Sequence, residues 1–458
     1  MTDRRRRTGP LVIRPLVDFL RTEAAGGLVL VIAAVVALVW ASSPWKAGYV
    51  DLWHTRLAIT LGSHGLDLDL RDWVNDGLMT LFFLVVGLEI KRELVEGELR
   101  EPRRAALPVI AAVGGMALPA LLYIAVNAGG HGAAGWGIPM ATDIAMAVGV
   151  MSLLGSRVDP SLKLFLLALA IVDDIGAILI IAAFYSEGIE LPALFVAVGL
   201  VGVVAVLRAA GVRATWAYVF VGAGLWLALH ESGLHATLAG VVLGLMAPAR
   251  PLRRRELIDE TALRDLSTPE AARETATLAR ESVSVVEWLE HVLHPWTSFV
   301  IVPLFALANA GIPLDATALS NAAGSRVTLG VVVGLVVGKT IGITAFTWAA
   351  VRARIGVLPS GARWIHVIGV AALGGIGFTV SIFVAGLAFE EATPLGAALQ
   401  DEAKVGILAA SLVAALLGTL ILTRIRPGLG ADGPDGRAKP QSGTSRGTTG
   451  GRSTSGGR

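Results

Sequence analysis

The sequence contains no cysteine and few charged residues for its length. Only 16% of its 458 residues are Asp, Glu, Lys or Arg. The absence of cysteine excludes a disulfide framework. The low charged fraction, together with 54% hydrophobic residues and a mean hydropathy of +0.68, lies outside the range of soluble globular domains. The basic residues are dispersed and have no aromatic platform beside them, so we expect no nucleic-acid partner.

The apolar residues are present in long blocks. A membrane-spanning helix needs about 20 of them in succession, so the blocks predict an all-α polytopic membrane protein with about twelve transmembrane helices. The first block follows four arginines, as in a signal peptide, but it is too long for one and lacks a clear cleavage site, so we interpret it as a retained span. The blocks are Ala24–Ser42, Trp73–Ile90, Ala105–Asn127, Ala133–Leu154, Ser161–Tyr185, Leu191–Ala209, Thr215–Leu229, Gly233–Met246, Trp296–Ala310, Val327–Ala350, Trp364–Ala388 and Val405–Thr423.

The positive charges divide unequally between the two sides of these spans. Of the 38 Lys and Arg residues, 32 fall in the two termini and alternate loops, five fall in the opposite loops, and Lys339 lies within a span. This bias predicts that both termini are cytoplasmic. Residues 1–23 form a cytoplasmic segment and residues 24–426 the transmembrane domain, with a charged cytoplasmic loop at about 248–290. Residues 427–458 are mainly Gly, Ser, Thr and Arg and are typical of a disordered tail.

Two adjacent aspartates, Asp173 and Asp174, interrupt the apolar block that contains them. A charged residue at the middle of a spanning helix costs about 2.5–3.5 kcal/mol on insertion scales. Asp143 and Lys339 also lie deep in apolar segments, so these four groups must face water, an ion or one another. A structural ion pair between Lys339 and one aspartate is one interpretation, but a single lysine does not neutralise both carboxylates.

The aspartate pair favours a division of tasks. Successive helical residues point about 100° apart, so one carboxylate would bind a cation while the other pairs with Lys339 or titrates. Carboxylate oxygens suit a small hard cation such as sodium, and burial favours the neutral form of a carboxyl group. Competition between a proton and a cation for the same oxygen atoms is the basis of an exchanger, which needs no cofactor beyond the ions it transports.

Helix-breaking residues interrupt the fourth and eleventh spans at mid-membrane. Irregular backbone at this depth is tolerated only inside protein or beside a water-filled cavity, and two broken helices in corresponding spans are the pattern expected of inverted repeats with a site at the midplane. Close packing through small residues is the alternative interpretation. Asp143 near the positive helix ends and Lys339 near the negative ends would offset the partial charges there. The interrupting residues are Pro139, Gly374, Gly375 and Gly377.

These residues belong to longer stretches that together resemble the NhaA-type sodium/proton antiporter family, over about residues 11 to 426. The stretches are Asn75–Met79, Gly87–Leu94, Ala141–Ala145, Leu167–Asp174, Gly233–Gly240, Leu289–Trp296, Gly338–Lys339 and Gly374–Thr379. The chain departs from the pattern at Thr340, where the family often has proline, and in its longer 250–290 loop and its tail.

The resemblance implies the roles of individual residues. Asp174 matches the main ion-binding carboxylate, Asp173 its neighbour and Lys339 their partner, while Thr142 and Asp143 balance the charges of the crossed helices. A homodimer, formed through a hairpin near residues 49–70, and a bacterial inner-membrane location in contact with lipid are also implied. The residues assigned to a cytoplasmic funnel and a pH response are Glu89, Lys91, Arg92, Glu93, His235 and Glu290.

Those six residues also have simpler interpretations. His235 begins a short apolar block and could cap or pack there. Glu290 lies at a membrane edge beside Pro295 and Trp296, where interfacial anchoring is an adequate account. The charged residues near position 91 are adequate as determinants of topology.

The sequence therefore predicts an electrogenic antiporter, not an enzyme, that exports Na⁺ or Li⁺ in exchange for about two external H⁺. Alternating access around the aspartate pair would regulate intracellular pH and sodium. The competing hypothesis is an intramembrane aspartyl protease, which places one aspartate on each of two helices that share a proton. The adjacent aspartates and the lysine disfavour it. A cation channel would need a filter loop or a ring of carboxylates, and the sequence has neither.

Overall fold

The computed structural model describes residues 13–61, 64–186, 188–212, 214–250, 283–389, 391 and 393–424. Most of the 248–290 loop and the whole 427–458 tail lie outside the described residues, so the predictions made for them are not addressed. The helices, in chain order, are α1 (Ile13–Ser42), α2 (Lys46–Trp53), α3 (Leu70–Asp72), α4 (Met79–Val95), α5 (Pro102–Asn127), α6 (Ile144–Leu153), α7 (Pro160–Phe184), α8 (Leu191–Ala209), α9 (Thr215–Glu231), α10 (Leu238–Met246), α11 (Val285–Trp296), α12 (Val302–Asn309), α13 (Ala316–Gly324), α14 (Arg326–Val332), α15 (Lys339–Arg352), α16 (Trp364–Leu373), α17 (Phe378–Ala388) and α18 (Pro394–Thr423).

Short segments of other helix types connect or extend these helices. Among the described residues, three are 3₁₀-helical: Glu98–Arg100, His131–Met140 and Gly155–Arg157. Three others in the same part of the chain are wider π-helical turns that run directly into the next helix: Trp73–Leu78, Thr297–Ile301 and Val333–Gly338.

Many of the helices have the length and composition of membrane spans. Within the described residues, seven are long and apolar enough to cross a bilayer, and two bent pairs raise the number to nine. The prediction of a multi-pass helical membrane protein is therefore confirmed. The other three predicted spans coincide with α4, α9 and α10, which have 17, 17 and 9 residues. Because crossing takes about 20 residues, the number twelve and the topology stay predictions, as do the domain boundaries. Helix α1 begins at Ile13, inside the segment assigned to the cytoplasm.

The two interruptions in the fourth and eleventh spans are present. The segment His131–Met140 and α6 meet at 46°, and α16 and α17 meet at 49°. A β-carbon on Gly375 would lie 2.4 Å from the carbonyl oxygen of Leu335, so only glycine allows this approach between backbones. The eleventh span therefore breaks where it presses against the π-helical turn that precedes α15.

Hydrogen bonds join the two interruptions to each other. The backbone N–H of Asp143 donates to the carbonyl of Ile376 at 2.7 Å. The hydroxyl of Ser381 donates to the carbonyl of Ile138 at 2.8 Å. Backbone groups that the breaks free from their own helices are thus satisfied across the crossing, as an apolar surrounding requires.

Close packing between α5 and α15 positions Lys339, the first residue of α15. A β-carbon on Gly342 would lie 2.2 Å from the carbonyl oxygen of Gly114, so the two backbones touch at this point. Small residues permit this kind of helix contact in membranes. The contact fixes the start of α15, where Lys339 lies, beside the two interruptions.

A two-stranded antiparallel hairpin departs from the all-α class. Strand β1 (Arg56–Leu61) pairs with β2 (His64–Asp69), with Arg56 opposite Asp69 and Leu61 opposite His64. The hairpin lies in the segment where the resemblance implies a dimer contact. The dimer itself stays a prediction.

Candidate ion-binding site

Helix α7 carries the two adjacent aspartates past the crossing of the broken spans. Asp173 exposes 0% of its surface and Asp174 exposes 6%. Their side chains point in different directions because neighbours on a helix are about 100° apart. The two carboxylates consequently have different surroundings.

Asp173 forms an ion pair with Lys339 in a fully buried network. The ammonium of Lys339 donates to Asp173 Oδ2 at 2.5 Å and to the hydroxyl of Thr142 at 3.0 Å. That hydroxyl lies 2.8 Å from Asp173 Oδ2 and 2.8 Å from the carbonyl oxygen of Gly374. Thr142 therefore connects the ion pair to both interruptions. The resemblance had left open which aspartate pairs with the lysine, and the structure places Asp173 there.

The π-helical turn Val333–Gly338 ends directly before Lys339. Turns of this type inside α-helices are frequent at functional sites. The hydroxyl of Thr340, where the family often has proline, donates to the carbonyl of Val336 at 2.6 Å. A bond of this kind to the preceding turn often bends a helix. The hydroxyl thus bonds to the preceding turn at the position of the expected proline.

Asp143 caps two helices with one carboxylate. Its Oδ1 accepts from the backbone N–H of Met146 in the first turn of α6, at 3.0 Å. Its Oδ2 accepts from the backbone N–H of Thr379 at 3.1 Å and from the hydroxyl of the same residue at 2.6 Å. Both α6 and α17 begin here, so two positive helix ends meet one negative charge. The structure thus places Asp143 where the sequence hypothesis needs it.

Asp174 lines a cleft that leads away from this network. The cleft has a cavity volume of about 60 Å³, which is room for several water molecules. Its polar lining includes Asp143, Thr379, Glu89 and His294. Among the described residues, Asp174 Oδ1 has no hydrogen-bond partner although it is buried. An acceptor that is buried without a donor is costly, and a small cation or a proton would satisfy it.

Several of the residues assigned to the cytoplasmic funnel lie together near the end of α4. Glu89 lines the cleft, and Arg92 donates a hydrogen bond to the carboxylate of Glu290, which is buried. Glu93 accepts from the backbone N–H of Glu98 at 2.9 Å. Lys91 is half-buried on the same helix. We call these charged residues at the end of α4, with Glu290, the rim; of them, Glu89 lines the cleft.

The structure does not bring His235 to this rim. Its Nε2 lies 2.7 Å from the carbonyl oxygen of Tyr185, the residue that follows α7. Tyr185 is twelve residues beyond Asp173 on the chain, which corresponds to about 18 Å along a helix. His235 is therefore at the opposite end of α7 from the residues with which it was grouped. Its contact agrees with the simpler interpretation of a packed or capping histidine.

Three polar residues of the site were not assigned from the sequence. Thr379 donates twice to Asp143, Ser381 joins the two interruptions, and the hydroxyl of Tyr185 accepts from the backbone N–H of Gly137 at 3.0 Å. Thr379 and Ser381 are isolated polar residues just after a glycine-rich break. Their position after the break was the available signal, because freed backbone and charged groups need partners there.

Comparison with known proteins decides the family. The model of the family described as "Na+/H+ antiporter 1" matches residues 17–422. The chain belongs to this family. An antiporter of Syntrophobacter fumaroxidans, named Na(+)/H(+) antiporter NhaA, is 47% identical over 91% of this chain and 92% of its own length. Relatives with the corresponding name from Rhodopirellula baltica, at 48% over 91% and 95%, and Frankia alni, at 47% over 90% and 89%, are similar to the same extent.

Membership of the Na⁺/H⁺ antiporter 1 family confirms the resemblance found in the sequence. It identifies a membrane antiporter of a bacterial family and supports a transporter over an enzyme. The ion pair is also unsuited to an aspartyl protease. Asp173 shares its environment with Lys339, whereas the protease chemistry needs two carboxylates that share one proton.

Proposed function

We propose that the protein is an electrogenic antiporter that exports one Na⁺, or Li⁺, in exchange for two H⁺. The observation that carries this proposal is the contrast between adjacent carboxylates. Each carboxylate has one buried oxygen that lacks a donor among the described residues, but Asp174 lines the cleft, whereas Asp173 is held by Lys339 at 2.5 Å. One carboxylate is ready for an ion and its neighbour is engaged with a group that carries a proton.

The first exchanged proton belongs to Asp174. With Asp174 protonated, its buried carboxyl group is neutral and needs no counter-charge, which is the favourable state in a low dielectric. A Na⁺ that enters through the cleft displaces this proton and takes its place on the carboxylate oxygens. Oxygen ligands from a carboxylate and hydroxyl or carbonyl groups suit a hard cation.

The second proton belongs to the pair of Asp173 and Lys339. A cation on Asp174 attracts the adjacent carboxylate, which weakens the bond from the ammonium to Asp173 Oδ2. Without that partner, a buried ammonium is disfavoured, and Lys339 releases its proton. Two protons then enter for each sodium that leaves, so one net charge crosses the membrane in each cycle.

Alternating access would proceed around the crossing of the broken spans. The cleft reaches from Asp174 to Glu89 and His294, near the end of α4 that precedes a loop rich in arginine. By the distribution of positive charge this is the cytoplasmic side, so the cleft corresponds to the inward-facing state. We further propose a bacterial inner-membrane location with both termini cytoplasmic, a homodimer formed through the hairpin, and a pH response from Glu89 and the Arg92–Glu290 pair.

The decisive experiment measures proton flux in proteoliposomes. Sodium added to vesicles that contain the protein should drive proton movement, reported by a pH-sensitive dye. Asp174→Asn should abolish this flux, whereas Asp51→Asn, the same substitution at an exposed carboxylate, should leave it intact. Unchanged flux in Asp174→Asn would overturn the assignment of the ion site.

The stoichiometry has its own test in the same vesicles. A membrane potential set with potassium and valinomycin should change the rate of exchange if one net charge moves per cycle. A rate that is independent of the potential would show one-for-one exchange and would refute the role given to Lys339. Proton release from purified protein on addition of Na⁺, Li⁺ or K⁺ then ranks the cations that compete for the site.

A further inference from the structure

A second cavity lies far from the aspartates, between the end of α15 and the start of α16. It has a volume of about 260 Å³ and is lined by Trp348, Val351, Arg352, Arg354 and Trp364. Two tryptophans and two arginines therefore line one groove. The transport mechanism uses none of these residues.

The surface around the groove has the character of a membrane interface. Trp348 is 55% exposed and Trp364 is 37% exposed, and tryptophan is enriched where hydrocarbon meets headgroups. Ile355 and Val357, in the loop that follows α15, are 52% and 86% exposed. Apolar side chains this exposed on a connecting loop are explained by contact with lipid.

Arg354 has a backbone conformation that arginine disfavours. Its φ is 60°, and among the described residues no other non-glycine residue has a positive φ. Its N–H donates to the carbonyl of Val351, and the next N–H donates to Ala350, both at 3.0 Å. These bonds end α15 in the left-handed turn that glycine normally occupies. The chain thus keeps a long cation at a position where glycine would be less strained.

The two arginines have no counter-charge within the part of the chain that the structure describes. Neither Arg352 nor Arg354 forms an ion pair with a described acidic residue, and both side chains are exposed. Two guanidinium groups at one groove attract a phosphate, which they can bind with paired hydrogen bonds. A strained arginine with no partner in the described chain points to a ligand that is supplied from outside it.

The position of the groove identifies the source of the phosphate. The loop after α15 lies against the start of α5, because a β-carbon on Gly356 would be 2.9 Å from the side chain of Leu107. It also contacts the start of α7, where the hydroxyl of Ser161 donates to Ser360 at 3.1 Å. This is the end of the molecule with the arginine-rich loops, which the proposed function assigns to the cytoplasm. The cytoplasmic leaflet is rich in anionic lipid headgroups.

We propose that this groove binds the headgroup phosphate of an anionic phospholipid such as phosphatidylglycerol. Arg352 and Arg354 pair with the phosphate, while Trp348 and Trp364 lie beside the glycerol backbone and the upper acyl chains. The bound lipid joins the end of α15, the helix that begins with Lys339, to the start of α16. Helix α15 begins at Lys339 and α16 ends directly before Gly374, and both of these residues contact Thr142. A lipid in the groove would therefore hold together two helices that end at the ion-binding network.

The test compares lipid binding by variants that differ at single arginines. Delipidated protein in neutral detergent is titrated with phosphatidylglycerol, with phosphatidylcholine and with inorganic phosphate, and bound lipid is counted by native mass spectrometry alongside the unfolding midpoint. The wild type should bind phosphatidylglycerol and unfold at a higher temperature with it. Arg352→Gln and Arg354→Gly should each bind it about fivefold more weakly, from the worth of one basic residue at an anionic surface.

Arg103→Gln is the matched control, because it removes an exposed arginine from the same end of the molecule. It should bind phosphatidylglycerol as the wild type does. Arg354→Gly should unfold no earlier than the wild type in the absence of lipid, because glycine relieves the strained turn. If Arg354→Gly does not yield folded protein, Arg352→Gln, which lies in the regular last turn of α15, decides the outcome.

Three results would overturn the proposal. Equal binding of phosphatidylglycerol by the wild type and both groove variants would show that the lipid lies elsewhere. An equal loss in Arg103→Gln would show a diffuse effect of net charge. A stabilisation by inorganic phosphate equal to that by phosphatidylglycerol would identify a free anion as the ligand. Failure of the proposed ion exchange would leave these binding results unchanged, so the two proposals are tested separately.

Discussion

Removal of the lysine from its buried ion pair should destabilise the protein strongly, and removal of both partners should not. In Lys339→Met the long side chain is kept and the charge is lost. Asp173, which exposes 0% of its surface, would then be a buried carboxylate without its cation. Loss of one partner from such a pair costs about 3–5 kcal/mol, because the other charge stays buried and uncompensated.

The double variant Asp173→Asn/Lys339→Met should recover most of this loss. The asparagine side chain keeps an oxygen to accept from the hydroxyl of Thr142, which lies 2.8 Å from Asp173 Oδ2 in the wild type. With no charge left at either position, the desolvation penalty disappears. We therefore expect the double variant to be within about 1 kcal/mol of the wild type. The two substitutions would then be coupled by at least about 2 kcal/mol, even if Asp173→Asn alone cost nothing.

Thermal unfolding in detergent provides the stability measurement, and proteoliposomes provide the functional one. The double variant retains Asp174 and should still exchange sodium for one proton, so its rate should no longer depend on the membrane potential. Strictly additive effects of the two single substitutions would refute the coupling. A double variant whose exchange still responds to voltage would refute the assignment of the second proton.

Three more changes test other parts of the structure. Asp143→Ala should cost about 2–4 kcal/mol, because two helix caps are lost together, and a loss below about 1 kcal/mol in thermal unfolding would contradict the shared cap. Gly375→Ala should lower the unfolding temperature because its β-carbon would lie 2.4 Å from a backbone oxygen, while Gly202→Ala, at an open helix position, should be neutral or stabilising. Burial raises the pKa of Glu391, but the charge of Arg71 and its hydrogen bond lower it further, to a value below the usual range. This contact thus adds stability above the unfolded-state pKa that is lost as the pH falls through the lowered value. The difference in unfolding temperature between the wild type and Glu391→Gln should therefore be present at pH 7 and should shrink as the pH falls below the usual range of a glutamate. A difference that does not change with pH would contradict it.

Much of the fold could be predicted because a bilayer allows few solutions. Continuous apolar blocks have to be helices, and a proline or glycine cluster at mid-depth has to be an interruption. Both broken spans were therefore predictable from Pro139 and from Gly374 to Gly377. The short helices α9 and α10 show the limit of this reasoning, since length and hydropathy alone do not decide whether they cross the membrane.

The members of the site could be predicted better than their connections. Charged residues deep in apolar blocks stand out because burying them is costly, so the sequence alone singles out Asp143, Asp173, Asp174 and Lys339 as candidates. The partner of Lys339 was left open because adjacent aspartates differ only in direction, and direction depends on how α7 is rotated against its neighbours. The pattern of apolar residues in α7 does not show how the helix is rotated about its own axis.

His235 shows that a motif match does not give the position of a residue in the folded structure. A matching stretch gives the position of the residue in the sequence, but not the end of the neighbouring helix that its side chain contacts. The carbonyl of Tyr185 holds His235 near the far end of α7, away from Glu89 and the Arg92–Glu290 pair. The separation between His235 and the residues at the end of α4 depends on how the helices pack, so only the structure reveals it.

The carboxylate that caps both α6 and α17 has a mechanical consequence. If either short helix tilted away, its amino end would lose the carboxylate that balances its partial positive charge. The crossed pair should therefore move as one rigid body. A change from inward to outward opening would then take place where this pair contacts the surrounding helices. Cross-links inside the crossing should be harmless to transport, whereas those from the crossing to surrounding helices should stall it.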